Sequence, residues 1–291
     1  MVEVWVTLTL VSAFFITFQR IVQKRVLNHE HASEYLTTFC MLTWVFLLPL
    51  IPAYGLDFNE RAIGLILAKS ILFSISSLYI VRANRHMEIS TVEPLKNLAP
   101  IFILIFAIFF LNEIPTLMHL LGFLLLVGGS FLLEFRTIAP HKQTIVQLFK
   151  QKYIHYLFIA FIVGGASAIF DKFIVKEVST LTTMFFLFLF TSICMMIYQA
   201  YKYKGVDDIL HALHTQGIPI TFITIVTLIS DWFYFKAIAL QNAPLSLVVP
   251  LRKASIILVV LFGGELFHEK HLVTKTIASL IMLIGVFLIA S

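Results

Sequence analysis

The sequence predicts an all-α integral membrane fold of ten transmembrane helices arranged as two inverted five-helix repeats. Three observations carry this reading. The 291-residue chain is 59% hydrophobic and 13% charged, with mean hydropathy +0.95. Soluble domains run near ~25% charged, so the apolar surplus must face lipid. About ten apolar runs match the roughly 20 residues a helix needs to cross a hydrocarbon core. Shifted by 156 residues, the chain also resembles itself without a gap: Ser90 falls on Ser246, Pro94 on Pro250, Lys96 on Arg252, Glu113 on Glu269 and Gly129 on Gly285.

The first apolar run, 4–22, is long enough to be a helix in its own right rather than a cleaved leader. NHEHAS separates it from 35–54, and AYGLDFNER separates that run from 62–81. RANRHME precedes the fourth span, 89–111. LNEIPT, whose Pro115 suits a helix start, precedes the fifth, 116–134. The longest polar gap, from Arg136 to Lys152, divides the chain into repeats at 1–138 and 153–291 joined by 139–152. The sixth and seventh spans, 154–174 and 180–200, lead to YKYKGVDD and the eighth, 217–236. LQNAP and FHEKH then bound the ninth, 243–264, from the tenth, 272–290. Five spans per repeat is an odd number, so the second unit enters the membrane from the opposite side. Such a pair is related by an axis in the membrane plane, and this suits alternating access around a central site.

VEPLKNLAP at 92–100 and VVPLRKASI at 248–256 place Glu93, Lys96, Arg252 and Lys253 inside two symmetry-related spans. A charge near mid-span costs about 2.5–3.5 kcal/mol even on the lenient scale. Glu93 and Lys96 are spaced i, i+3 and share a helix face. They read either as a pair that fixes packing or as substrate ligands. Arg252 and Lys253 have no adjacent acid, so their partner is Glu93, Asp171, Asp231 or a substrate. Lys69 and Asp231 lie within spans three and eight, as cavity wall or structural partner, and Trp232 is an aromatic beside Asp231. Asp171 and Lys172 end span six in FDKFIVK, aligned with FQRIVQK of span one, where charges can snorkel to the interface. Glu113 and Glu269 close spans four and nine, as proton-coupling acids or as caps on the following helix.

Net charge +5 lies in short inter-span loops and forms no stripe for nucleic acid. Cys40 and Cys194 each sit in an apolar run and suggest no disulfide framework. His29, Glu30 and His31, and Asp207, Asp208, His211 and His214, fall in polar loops, whose composition accounts for them without a metal. No catalytic or nucleotide motif appears, and no cofactor is expected.

The spans APIFILIFAIFFLNE and PLRKASIILVVLFGGELFHE, each ending in Glu, and the Gly-bearing LLGFLLLVGGSFLLE resemble the drug/metabolite transporter superfamily, its EamA-like group above all. The resemblance covers nearly the whole chain. It implies a carrier of small metabolites with a central cavity, working as monomer or homodimer in a bacterial inner membrane. Lys96 ahead of Pro100 and Phe102, and the adjacent Arg252–Lys253, are similar to triose-phosphate and nucleotide-sugar members, which implies an anion site. Lys and Arg outside the spans number eleven in the odd loops against three in the even loops. The positive-inside rule therefore puts the odd loops in the cytoplasm, whereas the resemblance implies the reverse. A reporter fused after Ser291 decides between them.

The expected function is secondary transport of a small anionic or zwitterionic metabolite, an amino acid, organic acid or phosphorylated compound, coupled to protons or a counter-substrate. Export of cationic drugs and an integral-membrane enzyme acting on lipid-linked substrates are the alternatives. Substrate ligands are expected among Lys96, Glu93, Arg252, Lys253, Asp231, Lys69 and Trp232, and coupling groups among Glu113, Glu269 and Asp171.

Overall fold

A computed structural model describes residues 3–27, 31–86, 95–135, 152–203, 205–255 and 272–290, and among these there is no strand. The helices are α1 (Val4–Leu27), α2 (Ala32–Leu47), α3 (Ile51–Tyr54), α4 (Glu60–His86), α5 (Ala99–Leu111), α6 (Leu117–Phe135), α7 (Lys152–Ile174), α8 (Thr180–Lys202), α9 (Val206–Ala239), α10 (Leu245–Arg252) and α11 (Leu272–Ala290). The second span is α2 and α3 joined by a 3₁₀ turn at Leu48–Leu50. Pro49 and Pro52 in LPLIPAY remove backbone donors there, which loosens α geometry. Gly55, at φ 70°, then stops the span in a conformation that few side chains tolerate. Among the described residues, six helical segments are long and apolar enough to cross a membrane, and three shorter apolar helices follow the same order. With α10 at the start of the ninth span, these make the ten expected segments.

Helix packing obeys the predicted symmetry. Exchanging the repeats swaps α1 with α7, α2 with α8, α4 with α9, α5 with α10 and α6 with α11. Under that exchange the α1–α9 contact becomes α7–α4, α2–α9 becomes α8–α4, and α10–α1 becomes α5–α7, and all six contacts are formed. The pairs α2–α8, α5–α10 and α6–α11, also formed, map onto themselves. Two bundles result: α4, α5, α7 and α8 form the first, and α9, α10, α1 and α2 form the second.

The seam between α6 and α11 is a backbone approach. A methyl at Gly122 would lie 2.8 Å from the Gly285 carbonyl oxygen, and one at Gly285 would lie 2.7 Å from the Gly122 carbonyl oxygen. Gly129 meets Ala278 and Met282 in the symmetric crossing. Gly122→Ala is therefore expected to cost about 1–3 kcal/mol through overpacking. A fall in melting temperature in detergent would register it. Gly128, with nothing within 4 Å of an added methyl, is the control whose alanine variant keeps the parent value.

The structure corrects the loop reading of one polar cluster. Asp207, Asp208, His211 and His214 lie on the first turns of the 34-residue α9, not in a loop. Polar composition concealed an amphipathic segment that buries Ile209 and Ala212. Non-helical Gln216 and the interior Pro219 set it off from the membrane-crossing part.

Candidate functional site

The two charged stretches sit at matched interruptions of the fourth and ninth spans. In the fourth, the Leu98 N–H donates to the Leu95 carbonyl at 2.9 Å. In the ninth, the Ala254 N–H donates to the Leu251 carbonyl at 2.9 Å. Donor and acceptor are each related by the 156-residue shift, so the same tight i→i+3 turn occurs in both repeats. Proline explains the loosening: Pro100 has no N–H for the Lys96 carbonyl, and Pro250 has none for that of Ser246. Broken helices are tolerated at membrane depth where their backbone lies inside the protein or lines a cavity. Arg252 is seven residues from the start of α10, which places its backbone about 10 Å below that end at 1.5 Å per residue.

Arg252 points at α9. Its Nη2 donates to Ser230 Oγ at 2.8 Å and to Asp231 Oδ1 at 2.5 Å. Ser230 Oγ donates onward to the Ser12 carbonyl of α1 at 2.8 Å. The guanidinium carbon stands 4.7 Å from the centre of the Tyr234 ring, within cation–π range. The Nε of Arg252 is buried without a hydrogen-bond partner.

A second ion pair lies in the other bundle. Lys69 of α4 contacts the Asp171 carboxylate of α7, and both side chains are buried. Lys69 Nζ is also 5.0 Å from the centre of the Phe235 ring. Tyr234 links the two pairs, because its hydroxyl donates to Asp171 Oδ2 at 3.1 Å while its ring faces Arg252. Residues from α4, α7, α9 and α10 thus form one polar network of two cations and two acids, buried at Lys69, Asp171 and Tyr234 and half-buried at Asp231 and Arg252.

The other expected residues take other places. Lys96 and Lys253 are half-buried at the interruptions, and Asn97 beside Lys96 donates to the Ser130 carbonyl of α6 at 3.3 Å. Trp232 lies under the Lys236 ammonium, 5.5 Å from its ring centre. Glu113 accepts the Leu245 and Ser246 N–H groups at 2.8 Å each. It therefore caps α10, in the other repeat, and not the helix that follows it. Glu93 and Glu269 lie outside the described residues. Lys172 does not snorkel. It is buried and donates to the carbonyls of Ile238, Leu240 and Ala243 at 2.9, 3.2 and 2.5 Å. Outside the membrane, Asp57 accepts the Ser179 N–H at 2.7 Å. Hydrogen bonding from Ser179, first from its side chain and then from its backbone, holds the Asp57 carboxyl below its ordinary value.

Tyr234 and Lys172 were the residues that sequence reasoning undervalued. Tyr234 read as aromatic core, but it lies five residues before the end of α9 and is buried, and a buried phenol needs a partner for its hydroxyl. Lys172 read as an interfacial charge, although the carbonyls at the end of a neighbouring helix are natural partners for a lysine.

The EamA-like transporter family matches residues 3–135 and again residues 151–291. No curated protein matches the chain. One solved crystal structure is similar over 97% of this chain and 96% of its own, with TM-score 0.68 and 13% identity, a likeness that shows the fold alone. With both repeats matched by the same family, the chain belongs to the EamA-like transporter family and is a multi-pass membrane transporter of the drug/metabolite type.

Proposed function

We propose that this transporter carries a small zwitterionic metabolite, with one carboxylate and one ammonium group, by alternating access between its two bundles. The observation that carries the reading is the neutral Arg252–Asp231 pair beside the matched helix interruptions. A bare anion entering a low-dielectric site that already balances its charges would leave an unpaired negative charge. A zwitterion adds none. Its carboxylate replaces Asp231 on Arg252 and engages the unpartnered Nε, since a guanidinium edge binds carboxylate bidentately. Its ammonium takes the Asp231 carboxylate so released. Lys96 and Lys253 line the approach at the interruptions, and Lys69, Asp171 and Tyr234 form the facing wall. An organic anion fits the same site only with a proton on Asp231, which makes it a proton-coupled substrate.

Counterflow in proteoliposomes tests this with four sets of compounds: zwitterionic amino acids, organic acids, phosphorylated metabolites and lipophilic cations. Zwitterions are expected to exchange without acidifying or alkalising the lumen. Exchange of lipophilic cations, undiminished by Asp231→Asn, would sink the proposal. Turnover of a lipid-linked substrate without translocation would favour the enzyme alternative.

A further inference from the structure

The loops at 55–59, 112–116, 175–179 and 240–244 each follow an even-numbered span and so share one face. On that face the corner between α9 and α10 is gripped by the opposite bundle at both of its helix ends. Lys172 of α7 holds the closing carbonyls Ile238, Leu240 and Ala243. Glu113, just past α5, holds the opening N–H groups of Leu245 and Ser246. The signs suit the backbone, because a cation meets the negative end of one helix and an anion the positive end of the next. Both charges belong to the first bundle and both backbone ends to the second. These contacts are independent of the Arg252–Asp231 pair, which lies wholly within the second bundle.

We propose that Lys172 and Glu113 are gating residues. They clamp the 238–246 corner and close the even-loop face in this conformation, and each transport cycle releases and remakes the clamp. The proposal rests on the transport reading. The clamp is suited to reversal because all five bonds run from a side chain to backbone groups at helix ends, which sit at the membrane edge where water can replace them. Parting the bundles then leaves no orphaned charge in hydrocarbon, as breaking a mid-membrane ion pair would. Two-state closure of this kind needs contacts made in one state and hydrated in the other.

The test uses the full-length protein in proteoliposomes, with Cys40 and Cys194 changed to alanine and cysteines placed at the exposed positions Ile114 and Gln241. Spin labels at the two cysteines report the separation of the bundles without any substrate. A short distance together with a longer one is expected. Glu113→Ala and Lys172→Met should each raise the longer population several-fold. A short reducible cross-linker between the same cysteines, with Glu113 and Lys172 intact, should stop amino-acid uptake, and reductant should restore it. A single distance unchanged in both variants overturns the gate, whatever the uptake. Cross-linked protein that takes up substrate at the reduced rate overturns it as well. A longer population in a protein that takes up no zwitterion keeps the gate and defeats the transport reading.

Discussion

Arg252→Ala is expected to weaken zwitterion binding at least roughly 30-fold, the lower end of the range for truncating one partner of a buried, hydrogen-bonded charge pair, because this pair is half-buried. Arg252→Lys is expected to rescue little, because an ammonium cannot offer the guanidinium edge that a carboxylate spans. Asp231, left alone beside Ser230, would burden the single variant with an unpaired, half-buried acid. The paired variant Arg252→Gln with Asp231→Asn removes that burden and retains hydrogen-bonding groups at both positions. Binding calorimetry alongside melting curves separates the two effects. A paired variant that melts like the parent and binds no amino acid supports the assignment. One that binds with parental affinity refutes it.

The second large effect concerns Lys69 and Asp171. Either Lys69→Met or Asp171→Leu strands a charge in the bundle, at a cost of about 3–5 kcal/mol. The double variant strands none, and replacing a buried ion pair by well-packed apolar groups is often neutral or stabilising. Both single variants are thus expected to melt well below the parent and the double variant close to it, a non-additivity that reports direct coupling. Transport is expected to be lost in Asp171→Leu and in the double variant, because both remove the acceptor of the Tyr234 hydroxyl and with it the tie between bundles. A double variant that transports at the parental rate would reduce the pair to a packing element.

The architecture was legible because its signals are local or periodic. Apolar run length announced the spans, and the 156-residue shift from Pro94 to Pro250 and from Lys96 to Arg252 announced the repeat. Arg252 stood out as a cation that needed an acid, and Asp231 was among the candidates. The choice between Asp231 and Asp171 was not legible, because it depends on which side of α10 faces α9. The Lys69–Asp171 pair spans 102 residues, so no helical spacing hints at it. Glu113 misled in a more instructive way. An acid ahead of Pro115 looks like a cap for the helix it precedes, yet in an inverted repeat the end of the fourth span lies beside the start of the ninth. The open N–H groups there, at Leu245 and Ser246, compete for the same carboxylate and win. Had the symmetry been used to place span ends as well as span centres, this contact would have been readable in advance.

The glycine seam between α6 and α11 limits how the molecule can deform. At Gly122 and Gly285 main chain meets main chain, and a pair of turns away Gly129 packs against the Ala278 carbonyl and the Met282 side chain. Sliding one helix past the other by a single residue would drive a Cβ toward a carbonyl at the Gly122–Gly285 crossing. A contact this close between backbones gives little room for sliding along the helix axes. The seam is therefore the part of the bundle least able to slide.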